Sequence, residues 1–283
     1  MEDLFRLKET DVGYRDLREW LDKVEELKEL RRIDGADWNL EMGTIVELIY
    51  NKAQESAPAV LFDNITGYPP GYRVLFGLLG TYQRMALTLD MPAKFAGMMD
   101  FIKAYRRRVR DVQPIPPRWV ESGPVMENVV TGSDVDINQF PSPFHHELDG
   151  GRYFGTGHIV ITQDPVDEWV NFGTYRLMLH DQNTLGLYMS PGKHGAIHRQ
   201  KYVERGEPCP VAVALGTDPL VWFASTSEIP GGLSEYDYAG GLRGEPIEVI
   251  RGPLTGLPIP ANAEIALEGE SYPGETRNEG PFG

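Results

Sequence analysis

A short proline run at Pro114, Pro116 and Pro117 divides this chain into two stretches whose hydrophobic patterns belong to different secondary structures. Proline fixes φ and has no amide hydrogen, so neither a helix interior nor a central strand passes through such a run. Before it, apolar residues recur at helical spacing; after it, short β-branched and aromatic runs alternate with turn residues. The expected organisation is an N-terminal α/β domain over residues 1–113 and a β-rich domain over residues 118–283, an α+β chain overall. Its 283 residues, 41% of them hydrophobic, suffice for two separate cores. The 31 glycines and 22 prolines argue against an all-helical bundle.

In the N-terminal stretch, Leu17, Trp20, Leu21, Val24 and Leu27 share one helical face, Asp16 and Glu19 fit a capping box, and Gly35 supplies the stop. A second helix is expected over Leu40–Gln54, a strand over Ala59–Phe62, another over Arg73–Leu79, and helices around Tyr82–Leu89 and Ala93–Tyr105. Arg106, Arg107, Arg108 and Arg110 read as a helix end, where cations complement the dipole, or as an interface. Beyond the prolines, strands are expected over Gly157–Thr162, Trp169–Met178, Thr184–Met189, Val211–Leu215 and Leu220–Ala224.

A formal net charge of -15 repels phosphate backbones and argues against a nucleic-acid binder. The single cysteine, Cys209, excludes an intrachain disulfide framework. No opening apolar stretch has the length of a signal peptide or membrane span, so a cytoplasmic protein is expected.

Three polar segments stand out in the β-rich half: Asn171-Phe-Gly-Thr-Tyr-Arg176, Ser190-Pro-Gly-Lys-His194, and Ala224-Ser-Thr-Ser-Glu-Ile-Pro-Gly-Gly-Leu-Ser-Glu235. An amide oxygen, an imidazole and a carboxylate together suit a divalent ion such as magnesium or manganese. Strand alternation puts Asn171, Gly173 and Tyr175 on one face and Phe172, Thr174 and Arg176 on the other, so Arg176 is free to address a carboxylate. Each residue also has a bland reading: Glu235 as a helix cap, Ser225, Thr226 and Ser227 as a turn, His194 as an ordinary polar residue.

The order of further motifs decides between these readings. Leu61-Phe-Asp-Asn-Ile-Thr-Gly-Tyr68, Phe76-Gly-Leu-Leu-Gly-Thr81 and Pro210-Val-Ala-Val-Ala-Leu-Gly-Thr-Asp-Pro219 are followed by Ile229-Pro-Gly-Gly-Leu-Ser-Glu235, Tyr238-Ala-Gly-Gly-Leu-Arg-Gly244, Pro260-Ala-Asn-Ala-Glu-Ile-Ala-Leu-Glu-Gly269 and Glu279-Gly-Pro-Phe-Gly283. In these the chain resembles the UbiD-like decarboxylases, which use prenylated FMN. The resemblance implies a split-barrel flavin-binding domain and the reversible, non-oxidative decarboxylation of an aromatic, heteroaromatic or α,β-unsaturated acid. It further implies a flavin prenyltransferase as cofactor supplier and a homo-oligomer.

By the same resemblance Asn171, His194 and Glu235 hold a manganese or magnesium ion beside the flavin phosphate. Ser225 and the backbones of Phe172, Ala224 and Ser227 serve a potassium-like ion. Thr156, Thr174, Lys193 and Thr226 line the cofactor, Lys193 standing where some relatives have a neutral amide. Arg176 is the implied catalytic arginine and Glu279 the first of two acidic partners. In relatives the second follows Gly-Pro-Phe-Gly, whereas the sequence stops at Gly283, so a truncated chain that binds cofactor better than it turns over is expected. Two other classes stay open: an FMN-binding protein without decarboxylase activity, and a metal-dependent hydrolase, which His145, His146 and Glu147 support poorly because neighbours on extended chain point apart.

Overall fold

The computed structural model describes residues 13–92, 94–155 and 157–283. Helix α1 (Leu17–Glu26) starts where Asp16 caps it, the Asp16 carboxylate accepting from Glu19 N at 2.9 Å. The expected stop at Gly35 is corrected: the chain leaves the helix at Leu27, turns through Lys28 at a φ of 62°, and forms strand β1 (Leu30–Asp34). Helix α2 (Glu41–Ala53) then leads to β2 (Ala59–Asp63), which pairs parallel with β1 and antiparallel with β3 (Val74–Phe76).

The unbroken apolar run of β2 has a direct cause, since both of its faces are covered. Ala59 and Leu61 meet Trp20, Leu21 and Val24 of α1, while Val60 and Phe62 meet Met42 and Val46 of α2. Two helices follow, α3 (Tyr82–Thr88), capped by Thr81, and α4 (Met98–Arg110), which starts later than the expected Ala93.

After β4 (Arg118–Trp119), the strands β5 (Tyr153–Gly155), β6 (His158–Gln163), β7 (Val170–Gly173), β8 (Leu177–Asp181) and β9 (Thr184–Leu187) run in close succession. Helix α5 (His194–Arg205), β10 (Cys209–Leu215), α6 (Pro219–Ser225), α7 (Glu235–Arg243), β11 (Glu248–Arg251), β12 (Pro258–Pro260) and β13 (Ile265–Ser271) complete the order. The antiparallel sheet β13-β10-β6-β7 separates two cores. On one face Val160, Val211 and Val213 pack with Leu177 of the sheet β5-β8-β9. On the other, Ile159, Ile161, Ala212 and Ala214 pack with Val221, Ala224, Tyr236 and Ala239 of α6 and α7 and with the sheet β12-β11-β4. Mixed helix and sheet, with strands concentrated after the prolines, is the fold class expected.

Two strand expectations fail here. Leu220–Ala224 is helical: Asp218 accepts from Leu220 N at 2.8 Å and Pro219 occupies the first turn, a capping signal outweighing the apolar run. Trp169–Met178 is two strands in two sheets, divided at Thr174–Arg176. Cys209 is buried and its thiol is pushed up to about 12 by that burial, consistent with a packing role.

Arginines tie the N-terminal elements to α7. Arg108 donates to the carbonyls of Leu89, at 2.7 Å, and Leu242, so one member of the basic cluster is an internal contact. Arg243 pairs with buried Asp218, donates to the Tyr14 carbonyl at 3.0 Å and lies 4.7 Å from the Tyr14 ring. No described helix is long and apolar enough to cross a membrane. Replacing Arg243 by Leu strands the Asp218 carboxylate in the interior, and urea denaturation of R243L is expected to show a loss of about 3–5 kcal/mol.

Candidate active site

Strand β7 lies at the edge of its sheet, so its outer side offers backbone donors that no neighbouring strand takes. Glu235, the first residue of α7, fills this need. Its Oε2 accepts from Phe172 N at 2.9 Å and its Oε1 from Asn171 Nδ2 at 2.6 Å. The contact is buried, Asn171 and Glu235 each being 3% exposed. The Phe172 ring meets Tyr236 edge-on at 4.5 Å and fixes the approach of the helix. Ser234, not Glu235, is the N-cap, which releases the carboxylate for this work.

Burial pushes Glu235 up to about 7, against the opposing pull of the bonds from Phe172 and Asn171, and none of its perturbing neighbours is basic. A buried carboxylate beside an amide, without a basic partner, is a fit for a cation. Among the described residues no three His, Cys, Asp or Glu side chains gather as a metal set, so a cation held here would have to draw on the Asn171 amide as well.

His194 opens α5 and connects to this pair indirectly. Gly195 N donates to the Tyr175 hydroxyl at 3.2 Å, and that hydroxyl donates to Asn171 Oδ1 at 3.3 Å. The Trp169 ring stands between His194, at 4.7 Å, and His198, at 5.0 Å. Burial lowers His198 to about 4, so it is neutral, and its Nδ1 meets Thr162 Oγ1 at 3.0 Å.

The hydroxyl cluster divides. Ser225 Oγ lies 2.7 Å from Thr174 Oγ1 and 2.6 Å from the Trp222 carbonyl. Thr226 and Ser227 fold back onto the Phe223 carbonyl at 2.8 and 3.1 Å, the habit of hydroxyls at a helix end. Ser227 N donates to the Ala224 carbonyl at 3.1 Å. Lys193 is exposed ahead of α5. Thr156 lies outside the described residues.

Arg176 sits where the chain crosses from β7 to β8. Its Nη2 donates to Glu279 Oε2 at 2.7 Å, its guanidinium lies 4.8 Å from the Tyr188 ring, and its buried Nε has no partner among the described residues. Tyr153 donates to the other oxygen of Glu279 at 2.9 Å; burial, then this bond, pushes its hydroxyl up to about 12. Phe282 stacks on Tyr153 at 4.0 Å, and Gly150 N donates to the Pro281 carbonyl at 2.7 Å, holding the Glu279 segment in place. Sequence reasoning missed Tyr153, Tyr175, Tyr188 and Trp169. Tyr153 and Glu279 are 126 residues apart, with no local spacing to link them.

A cavity of about 1860 Å³ reaches this region, with His180, Gly186, Tyr188 and Glu279 in its wall. Asn171, His194 and Glu235 are not in that wall, so the large space adjoins the Glu279 end of the site and not the Glu235 end. This groove is larger than the roughly 300–1,000 Å³ of ordinary ligand pockets.

The Glu235 carboxyl has an ordinary value of 4.5 and a folded value of about 7. Between those values the folded chain keeps a proton that the unfolded chain releases, so stability from this group is present at low pH and lost as pH rises towards 7. Because buried His158 and His198, lowered to about 4, push stability the other way over part of this range, the Glu235 effect is read against E235Q: in metal-free protein the wild type is expected to lose on the order of 1–3 kcal/mol of unfolding free energy in urea relative to E235Q between pH 5 and pH 8. A divalent ion bound at this carboxylate would take the proton's place, so manganese bound there would raise the melting temperature more at pH 8 than at pH 5, and hardly at all in E235Q.

The family model of the 3-octaprenyl-4-hydroxybenzoate carboxy-lyase Rift-related domain matches residues 118–283, and that of the enzyme's N-terminal domain matches residues 21–98. A pyrrole-2-carboxylic acid decarboxylase from Pseudomonas aeruginosa is 41% identical over 276 residues, covering 95% of this chain and 55% of the relative. The closed form of vanillic acid decarboxylase from Sedimentibacter hydroxybenzoicus superposes with a TM-score of 0.88 at 30% identity, over 95% of this chain and 57% of that one. An evolved dimeric form of the UbiD-class enzyme HmfF from Pelotomaculum thermopropionicum, in complex with prFMN, gives a TM-score of 0.84 at 28% identity, over 95% and 60%. The chain thus spans a little over half the length of these relatives. Since the first family model alone takes in more than half of its residues, the chain belongs to the UbiD family.

Proposed function

We propose that this chain carries the cofactor-binding and acid–base site of a prenylated-FMN-dependent decarboxylase acting on an aromatic, heteroaromatic or α,β-unsaturated carboxylic acid. The observation that carries this reading is the division of the segment 171–176: Asn171, at one end, is joined to Glu235, and Arg176, at the other, is joined to Glu279. Cation binding and carboxylate recognition are thereby held within one short stretch of chain.

Asn171, Glu235 and His194 would hold the divalent ion, with Thr174 and Ser225 alongside for phosphate or a monovalent cation such as potassium. Prenylated FMN, when bound, supplies the electron sink for the pair of electrons left on carbon as carbon dioxide departs. Arg176 orients the acid. Its face is covered by Tyr188, its Nε has no partner among the described residues, and its Nη2 holds Glu279 in an ion pair for which a substrate carboxylate can compete. Tyr153 and Arg176 together fix the Glu279 carboxylate, a group that can exchange a proton once the substrate carboxylate is gone. The relative that acts on pyrrole-2-carboxylic acid makes that acid the first to try. A flavin prenyltransferase as cofactor supplier and a homo-oligomeric assembly belong to the same proposal.

The test is turnover by protein produced together with a flavin prenyltransferase, with the bound cofactor identified by mass, on pyrrole-2-carboxylate, cinnamate-like and hydroxybenzoate-like acids. R176L and E279Q are expected to keep flavin and manganese while losing a factor of about 10²–10⁴ in rate. Prenylated cofactor in place with none of the acids consumed, or an R176L rate equal to that of the wild type, would overturn the proposal. Bound unmodified FMN without turnover would favour a flavin-binding protein instead.

A further inference from the structure

Beside the Arg176–Glu279 pair is a histidine that the reading above does not use. His180 lies in β8 at a bulge: Leu179 pairs with Leu185 and Asp181 with Thr184, so the residue between them has no partner of its own across the strands. Bulges re-aim side chains, and they recur next to active sites. The ring turns over Gly186, where a Cβ would meet His180 Nε2 at 2.6 Å, too close for both to fit, and Glu279 Cγ at 3.6 Å. Gly186 does not have a positive φ, so it is space and not backbone conformation that its hydrogen preserves. His180 and Glu279 converge on that space.

The second observation is an unmet hydrogen-bonding need. His180 Nε2 is buried and has no partner among the described residues, and Arg176 Nε is in the same condition. An orphaned buried ring nitrogen is a standing cost unless something pairs with it in another state of the molecule. Both oxygens of Glu279 are engaged elsewhere, by Arg176 and Tyr153. A substrate carboxylate arriving at Arg176 competes for the guanidinium and releases Glu279 Oε2, which is then free to turn to the space over Gly186 that Glu279 shares with His180.

We propose that His180 is the proton-exchange partner of Glu279, a positioning residue that receives its carboxylate and loads it with the proton that replaces carbon dioxide. This rests on the decarboxylase reading for the destination of the proton, but not for the pairing itself. In the transfer the Nε2–H bond of the imidazolium breaks and an O–H bond forms on Glu279. That O–H bond then breaks as a C–H bond forms on the substrate carbon. The imidazole recovers its proton from water in the groove, whose wall His180 and Glu279 share. One solvent proton enters for each carbon dioxide lost, and this proton relay involves no change of oxidation state. The charged and titratable groups on the surrounding elements are Glu279 and Arg277 on the C-terminal segment, Arg176 just before β8 and Asp181 at its end, Tyr153 on β5 and Tyr188 after β9. Arg277 is itself paired with Asp181 at 2.7 Å, while Glu279 is the carboxylate that meets His180 over Gly186.

Imidazole titration by NMR tests the pairing without turnover, and the chain has only six histidines to assign. In protein carrying its flavin and diamagnetic magnesium in place of manganese, with a non-reactive carboxylate bound, E279Q is expected to lower the His180 midpoint by about half a unit or more. G186A is expected to reduce the same coupling, because its methyl group occupies the shared space while both partners remain. Melting temperatures close to that of the wild type identify folded variants. In turnover, H180Q is expected to lower kcat about tenfold or more with KM little changed and to shift the acidic limb of the pH profile. A His180 midpoint identical in wild type and E279Q, or an H180Q pH profile superimposable on that of the wild type, would overturn the proposal. Coupling by NMR in a protein that consumes no acid supports the pairing and overturns the decarboxylase reading alone.

Discussion

An edge strand has to do something with its unpaired side, and here the answer organises the site. Strand β7 closes one margin of the β13-β10-β6-β7 sheet, and Glu235 meets its free side through Phe172 N and the Asn171 amide. Because Glu235 is the first residue of α7, the same two bonds seat that helix, and Tyr236 and Ala239 then reach the core shared with β6 and β10. Burying a carboxylate with neutral donors alone is costly, which is why the group holds its proton up to about 7. The contact that completes the sheet edge is thus also a place where a cation would relieve a cost already built into the fold.

From that edge the chain crosses to a second sheet in three residues, Thr174–Arg176, between β7 and β8. The crossing is anchored: His158 Nε2 lies 2.7 Å from the Tyr175 carbonyl, and the Tyr175 hydroxyl reaches both Asn171 and the start of α5. Burial lowers His158 to about 4, so this inner anchor is neutral. A continuous strand would have dispersed these side chains along two fixed faces. The break instead sends Thr174 to Ser225, Tyr175 to Asn171 and Arg176 to Glu279, three destinations from three consecutive residues.

What was legible in the sequence follows from the range of the interactions involved. The α1 cap, α2 and the apolar run of β2 depend on neighbours a few residues away, and each was readable. Strand β1 escaped because Leu30–Asp34 is half exposed and charged, and its strand state comes from pairing with β2, a partner 29 positions on. Helix α6 was hidden by a run of apolar residues that either state would bury, although Asp218-Pro219 carried the correct local signal. Among the residues of the proposed site, Asn171, Arg176, His194, Glu235 and Glu279 were singled out through the order of their motifs. Tyr153, Trp169, Tyr175 and His180 were not, because each meets one of those residues through a contact set by the folded sheets and not by spacing in the chain.

The two ends of the site also differ in how firmly the fold holds them. Glu235 is secured by a helix start, a sheet edge and the core beneath Phe172 and Tyr236, so separating it from Asn171 means dismantling the packing of α7. Glu279 belongs to a segment after β13 without helix or strand of its own, held by the Arg176 pair, the Tyr153 bond, the Phe282 stack and the backbone bond to Gly150. Few buried apolar contacts and a handful of polar ones place such a segment at the low-stability end of a fold. The division suits the chemistry proposed for each end. A cofactor must stay bound through many turnovers and needs the rigid end, whereas an acid–base group must exchange partners within each one and is better placed where its contacts can be broken and remade.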